Sequence, residues 1–328
     1  MQSQQIEGFR LSPQQATVWQ RQQVEFAHPY RVQGAVSIVG KLNVAALKRA
    51  LQAVVERHEI FRTVFQLLPG MTLPLQVIQA AESVLLDEHD LTDFSESEQI
   101  GEVERHFEQL KRQPFDSKDQ PPLAVHLLAL APDRHMLLIS LSALIADSTT
   151  LSQLVSQLSQ LYAEREPNTP EEMGIMQYAD VAEWQNELLE QADNAPGRAY
   201  WQRQKTAVSA GLDLGGLKKS QAEEPPASGG DFGVDLISIA IAPGLVDQIQ
   251  SLGYKLGHAP AEILLASWQI LLWRMAGRQP LTRSVASDGR RYDELAETLG
   301  LLSKYLPIIG PVSKSASGSN SGPNSGSQ

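Results

Sequence analysis

The sequence has no cysteine in its 328 residues. Disulfides, thiolate catalysis and cysteine-rich metal sites are therefore excluded, and the absence fits a reducing compartment. Positive charge is scarce too. There are 27 Lys and Arg against 38 Asp and Glu, a formal net charge of -11. No run of Lys and Arg offsets this diffuse negative field, which argues against non-specific nucleic-acid binding. Long apolar runs are also missing. The most apolar stretch, 259–276, contains Glu262, Gln269 and Arg274. It is too short and too polar for a membrane span and reads as a buried core helix. The start, Met1-Gln2-Ser3-Gln4-Gln5, lacks the basic and apolar regions of a secretory signal. The expectation is a soluble, cytoplasmic protein. No internal repeat is visible. Apart from His58, the histidines (His28, His89, His106, His126, His135, His258) are scattered, without metal-ligand spacing.

What the chain does have is enough apolar residues, 42%, for a large core in one large domain or two lobes. Asn43 is placed to cap a helix in which Leu47, Leu51, Val54, Val55 and His58 recur at helical spacing. Phe61 to Phe65 alternates like a strand, and Leu75 to Ile78 reads as another after the Pro69-Gly70 turn. A polar, acidic helix is predicted from Ser95 to Gln113. Leu123 to Ala131 and His135 to Leu141 read as apolar strands joined at Pro132-Asp133. Leu151, Leu154, Val155, Leu158 and Leu161 then follow at helical spacing.

Further on, 166–170 is a linker by composition, and a helix spans 178–191. The break at 195–197 precedes a helix near Tyr200-Trp201. Residues 218–231 read as a flexible connection. A strand at 236–241, a helix at 243–252 and the apolar helix after Pro260 begin a second lobe. The Ser/Gly-rich tail has nothing to bury. This gives four parts: an N-terminal lobe at 1–165, connecting helices and linker at 166–231, a partial C-terminal lobe at 232–312 and a tail at 313–328.

The chemically suggestive segment is Ser142-Ala143-Leu144-Ile145-Ala146-Asp147-Ser148, a polar turn between a strand and a helix. It is one of five segments which, in order, resemble the core motifs of condensation domains of nonribosomal peptide synthetases. The others are Leu11 to Trp19, Arg57 to Phe65, Tyr178 to Gln185 and Leu299 to Ile308. The resemblance covers residues 8–312. Two further family motifs are missing, so the expectation is that either the second lobe is incomplete or the chain is an excised part of a larger synthetase.

The resemblance implies an α/β, two-lobed, V-shaped chloramphenicol acetyltransferase-like fold with a tunnel between the lobes. It implies a cytoplasmic role in secondary metabolism, with carrier-protein and adenylation domains as partners. Phosphopantetheine arms of carrier proteins would bring the tethered substrates. No directly bound cofactor and no metal is implied. In the family, the turn carries His-His-x-x-x-Asp-Gly. Here Ser142 and Ala143 replace both histidines, Asp147 is kept and Ser148 replaces the glycine. Asp147 is expected to form a structural pair with Arg62.

A neutral imidazole accepts a proton near pH 7, and such groups contribute about 10²–10⁴-fold. Ala143 can do neither that nor orient an amine. Ser142 would need an activating base, and none is visible in the local sequence. No catalytic set is therefore intact. The expected role is carrier docking, gating or recruitment of a tailoring enzyme. The alternative is an active acyltransferase that joins a carrier-bound acyl thioester to an acceptor without histidine, assisted by Ser142, by Tyr305 or by the substrate amine alone. A free-standing acyltransferase of the wider superfamily meets the same gap.

His58 reads as a packed or capping residue, and Tyr178, Asp180 and Trp184 as packing for a helix between the lobes. Asp288 to Arg291 reads as a solvated loop with the potential to touch a carrier protein. Ser303 and Lys304 replace the family's usual Val-Asn, which departs from the usual tunnel lining.

Overall fold

The computed structural model describes residues 8–24, 30–112, 122–163, 175–191, 195–205, 239–275 and 281–310. The expected linker 166–170, the connection 218–231 and the tail 313–328 lie outside these described residues. The chain divides into two compact units: Met1–Asn194 with Ala286–Lys304, and Ala195–Val285 with Tyr305–Gln328. Segment 286–304, expected in the second lobe, thus folds with the first unit.

The first unit is built on a four-stranded sheet of β2 (Arg31–Val39), β5 (Leu86–Asp90), β6 (Leu123–Ala131) and β7 (Arg134–Ser142), ordered β2-β7-β6-β5. β6 and β7 are almost continuously apolar because both of their faces are covered. On one face, Leu127, Leu137 and Ile139 join the main core. On the other, Leu128 and Leu138 meet Leu91 and Leu110 in a smaller cluster. Helix α3 (Glu96–Arg112) supplies Leu110 and is the crossover that makes β5 parallel to β6. β2 runs antiparallel to β7 in a ladder from Arg31 opposite Ser142 to Val39 opposite Arg134. A smaller sheet joins β1 (Phe9–Arg10), β4 (Leu75–Ile78) and β3 (Thr63–Gln66) in that order.

Helix α2 (Val44–Arg57) forms as the spacing requires. Asn43 accepts from the Ala46 amide, and Leu47, Leu51, Val54 and Val55 are buried. Helices α1 (Pro13–Val24), α4 (Ser148–Ala163) and α5 (Tyr178–Glu190) complete the unit, with Leu154, Leu158 and Val181 in the core. Burying one such side chain stabilises by about 1.5–3 kcal/mol.

Several expectations change. Phe61 to Phe65 is not one strand. Glu59–Arg62 is a 3-10 turn and β3 begins at Thr63, whose hydroxyl donates to the Glu59 carbonyl at 2.8 Å. β2 and β5 were not expected, because polar residues break their apolar pattern. Within the described part of 236–241, residues 239–241 adopt no regular element.

The second unit contains α6 (Ala195–Lys205), α7 (Pro243–Leu256) and α8 (Pro260–Met275), with most of the strand pair β8 (Leu281–Ser287) and β9 (Lys304–Gly310). Gly257 closes α7 in the left-handed conformation. The expected buried helix is not buried: no residue of α8 is, and Trp268 is 55% exposed. Its apolar residues ring the axis, whereas α7 packs beside it and can cover only one side.

Candidate functional site: the turn between β7 and α4

β7 delivers Ser142 to the sheet end, where its amide donates to the Pro122 carbonyl at 3.0 Å. The Ala143 amide donates to the Tyr30 carbonyl at 2.9 Å, and the Ile145 amide returns to the Ser142 carbonyl at 3.0 Å. Ser142 is buried, and its Oγ accepts from the Leu144 amide at 3.3 Å. The hydroxyl thus serves the turn. No hydrogen bond among the described residues joins it to a histidine. His58 is buried at the end of α2, with Nε2 2.7 Å from Gln157 Oε1. Burial, aided by the Arg57 charge and opposed by the Gln157 hydrogen bond, lowers its pKa. It is the packed capping residue its position suggested.

The opening segment locks this turn from behind. Gln15 Nε2 donates to the Leu144 carbonyl and to Gln76 Oε1, each at 2.9 Å. Gln15 Oε1 accepts from the Ser12 amide at 2.9 Å, while Ser12 Oγ accepts from the Gln15 amide at 3.1 Å. This reciprocal capping box starts α1. Ser12 Oγ also lies 2.8 Å from the Tyr178 hydroxyl, which donates to the Leu301 carbonyl at 2.6 Å. Burial raises the Tyr178 pKa, so the hydroxyl stays protonated. Tyr178 is buried, whereas its two companions are not. Asp180 is exposed, and Trp184 is 40% exposed with its ring edge against Tyr292 at 5.8 Å.

At the other end of the turn, Asp147 is buried and caps α4. Its Oδ1 accepts from the Thr150 amide at 2.8 Å. Its expected partner is corrected. Asp147 Oδ2 accepts from Arg290 Nη1 at 3.0 Å, and both side chains are 4% exposed. Arg62 instead donates to the Gln79 carbonyl at 2.6 Å and reaches Glu59 at 3.5 Å. Arg62 lies in the 3-10 turn that the sequence pattern had read as strand, and there it faces β4's end and its own turn rather than α4.

Arg290 comes from the supposed solvated loop. Its Nη2 also donates to Thr150 Oγ1 at 2.9 Å and to the Thr298 and Gly300 carbonyls at 3.2 and 3.3 Å. Asp147 Oδ2 further accepts from the Leu302 and Ser303 amides at 3.1 and 2.9 Å, and from Ser303 Oγ at 2.8 Å. Burial pushes the Asp147 carboxyl upward, but Arg290, the Thr150 amide and Ser303 outweigh it and hold it below 3.8.

Two glycines permit this close approach. Gly289 has φ +76°, and a Cβ there would meet the Leu302 carbonyl oxygen. Gly300 has φ +150°, and a Cβ there would collide with the Tyr178 ring. Arg290, Thr150 and Thr298 were missed as members of this network. The Gly289-Arg290 pair was the available signal, but an arginine 143 residues from its carboxylate carries no local pattern.

Comparisons with known proteins bear on the family and the fold. The chain matches the condensation-domain family over residues 5–319. Chondramide synthase cmdD of Chondromyces crocatus is 27% identical over 301 residues, 91% of this chain but 8% of that protein. Tyrocidine synthase 3 of Brevibacillus parabrevis is 27% identical over 303 residues, 92% of this chain and 4% of that protein. The chain spans less than a tenth of these relatives.

Among solved structures, the X-domain from teicoplanin biosynthesis superposes with a TM-score of 0.77 at 22% identity, covering 95% of this chain and 67% of that one. The condensation domain of the monacolin K polyketide synthase MokA gives 0.77 at 21%, covering 93% and 68%. The fold is therefore the chloramphenicol acetyltransferase-like architecture of these domains. No helix among the described residues is long and apolar enough to cross a membrane. The five ordered segments, the fold and the family match agree: the chain belongs to the condensation-domain family.

Proposed function

We propose that this condensation domain no longer joins acyl thioesters to amines and acts within a cytoplasmic peptide synthetase as a docking, gating or recruitment platform for carrier proteins. The carrying observation is the state of the turn. At its catalytic end, Ser142 is buried and holds the Leu144 amide, and Ala143 has no group that exchanges a proton. At its structural end, the Asp147 network is complete. The site keeps its frame and lacks a base.

The likeness to an X-domain supports the platform reading, because the teicoplanin X-domain has been solved in complex with OxyB, with a TM-score of 0.72 to this chain. By the same reading, the partners are carrier and adenylation domains, with phosphopantetheine arms delivering substrate. The test is a reconstitution with loaded donor and acceptor carriers. The expected result is carrier binding with no amide product above the uncatalysed rate. Amide product that falls on Ser142→Ala would establish the alternative, a working acyltransferase without histidine.

A further inference from the structure

The histidines that look scattered in sequence converge in the fold. β5 and β6 pair in parallel with Asp87 opposite His126. Side chains alternate along a strand, so Asp87, His89 and His126 project from the same face. That face is the one covered by α3, whose buried residues Gln99, His106 and Leu110 point back toward the sheet. The rings of His89 and His106 lie 4.2 Å apart, those of His89 and His126 5.2 Å, and those of His106 and His126 5.6 Å. One ring nitrogen from each lies within 4.8 Å of one from each of the others.

Three imidazoles packed together need an explanation, because each must satisfy two ring nitrogens. Here each ring keeps one buried nitrogen without a hydrogen-bond partner: His89 Nε2, His106 Nδ1 and His126 Nδ1. Another such nitrogen, His135 Nδ1, lies alone on β7, whereas these three converge. The structure assigns His89, His106 and His126 as a binding site for one borderline divalent transition-metal ion, of which Zn²⁺ is the representative.

The chemistry of the donors fits. Zn²⁺ takes neutral imidazole nitrogens at about 2.0–2.1 Å, and a three-histidine set with one open position is a known arrangement. Tetrahedral geometry at those lengths places ligand nitrogens about 3.3 Å apart. The rings therefore need to draw in by an ångström or so, a rotamer-scale movement. An outer-shell partner is already present: His126 Nε2 faces Asp87 Oδ2 at 3.5 Å, the carboxylate–imidazole pairing that orients a ligand and raises its basicity.

Two features bear on access. A cavity of about 440 Å³ is lined in part by Asp87 and His126, though not by His89 or His106. Arg105 Nη2 sits 3.1 Å from His106 Nε2. Metal binding at Nδ1 moves the ring proton to Nε2, so Arg105 must swing away. Its side chain is 55% exposed, and its other bonds go to Glu102 and Gln109 on its own helix.

The test uses the full chain, stripped of metal by a chelator and titrated with Zn²⁺ in a calorimeter. One Zn²⁺ per chain is expected, with a rise in the thermal midpoint that tracks free Zn²⁺. His106→Ala and His126→Ala should each abolish that equivalent. Asp87→Asn should weaken it by about 10- to 100-fold. His258→Ala, remote and exposed, should leave it unchanged. Stoichiometric Co²⁺ on the unaltered chain gives a second readout that needs no variant: visible bands of a tetrahedral nitrogen site. No uptake of Zn²⁺ by the unaltered chain, uptake that survives loss of all three histidines, or a Co²⁺ spectrum of the free aquo ion would each overturn the assignment.

Discussion

Ser142 and Asp147 occupy opposite ends of the turn between β7 and α4, and the structure invests in them unequally. Ser142 Oγ accepts one long hydrogen bond from its own turn. The two Asp147 oxygens collect bonds from Arg290, Thr150, Leu302 and Ser303, residues distributed over three segments. The first end can change side chain at a small cost in stability, and the second only at a large one. The side chain at the Ser142 end can therefore differ while the scaffold around it persists, as the proposed platform role requires.

The comparison breaks most visibly at Arg290. Arg290→Ala leaves a buried carboxylate uncompensated and should cost about 3–5 kcal/mol, read as a drop in the urea midpoint. Arg62→Ala, once the expected partner, removes a half-buried side chain bonded to a carbonyl and should cost about 1 kcal/mol. Equal losses would return the pairing to Arg62. Next in size, Gly300→Ala forces a Cβ toward the Tyr178 ring at an unfavourable φ and should cost about 1–3 kcal/mol. Wild-type stability there would mean that Leu299 to Ser303 does not pack on α5.

Acid gives the third measure. Because the folded Asp147 carboxyl is held below 3.8, its contribution is complete at neutral pH. As pH falls below the ordinary carboxylate range, the unfolded chain takes up the proton first. Stability is then lost until the folded carboxyl protonates as well. The stability gap between the wild type and Asp147→Asn should therefore narrow on acidification, and a constant gap through the acid range would refute the network. Ser142→Ala should have an effect of the size expected for Arg62→Ala, about 0.5–1.5 kcal/mol, with no change in the acid profile.

The sequence made the regular, apolar elements legible. Leu47, Leu51, Val54 and Val55 lie on the buried face of α2, and β6 and β7 run where their apolar stretches do. β5 was opaque because Leu86-Asp87-Glu88-His89-Asp90 is an edge strand whose charged residues face out or toward α3. β2, another edge strand, was hidden by Arg31, Gln33 and Ser37. At the site, the turn and Asp147 were readable, and so was the capping role of His58. The partner of Asp147 was not, since a pairing across 143 residues is set by the fold as a whole. The histidine cluster was missed for the same reason: parallel pairing of β5 with β6 and the crossover of α3 create the proximity that spacing along the chain conceals.

The return of segment 286–304 to the first unit has a consequence for biogenesis. A polypeptide emerging from the ribosome presents Asp147 long before Arg290 exists, so the early-made portion carries a carboxylate awaiting its counterion. Such a portion also lacks Leu295, Leu299, Leu301 and Leu302 of the main core, so it is less stable on its own than a domain that folds N-terminal first. Nascent chains halted before residue 286 should remain protease-sensitive, and compaction should arrive late, in one step, once the distant arginine has cleared the exit tunnel.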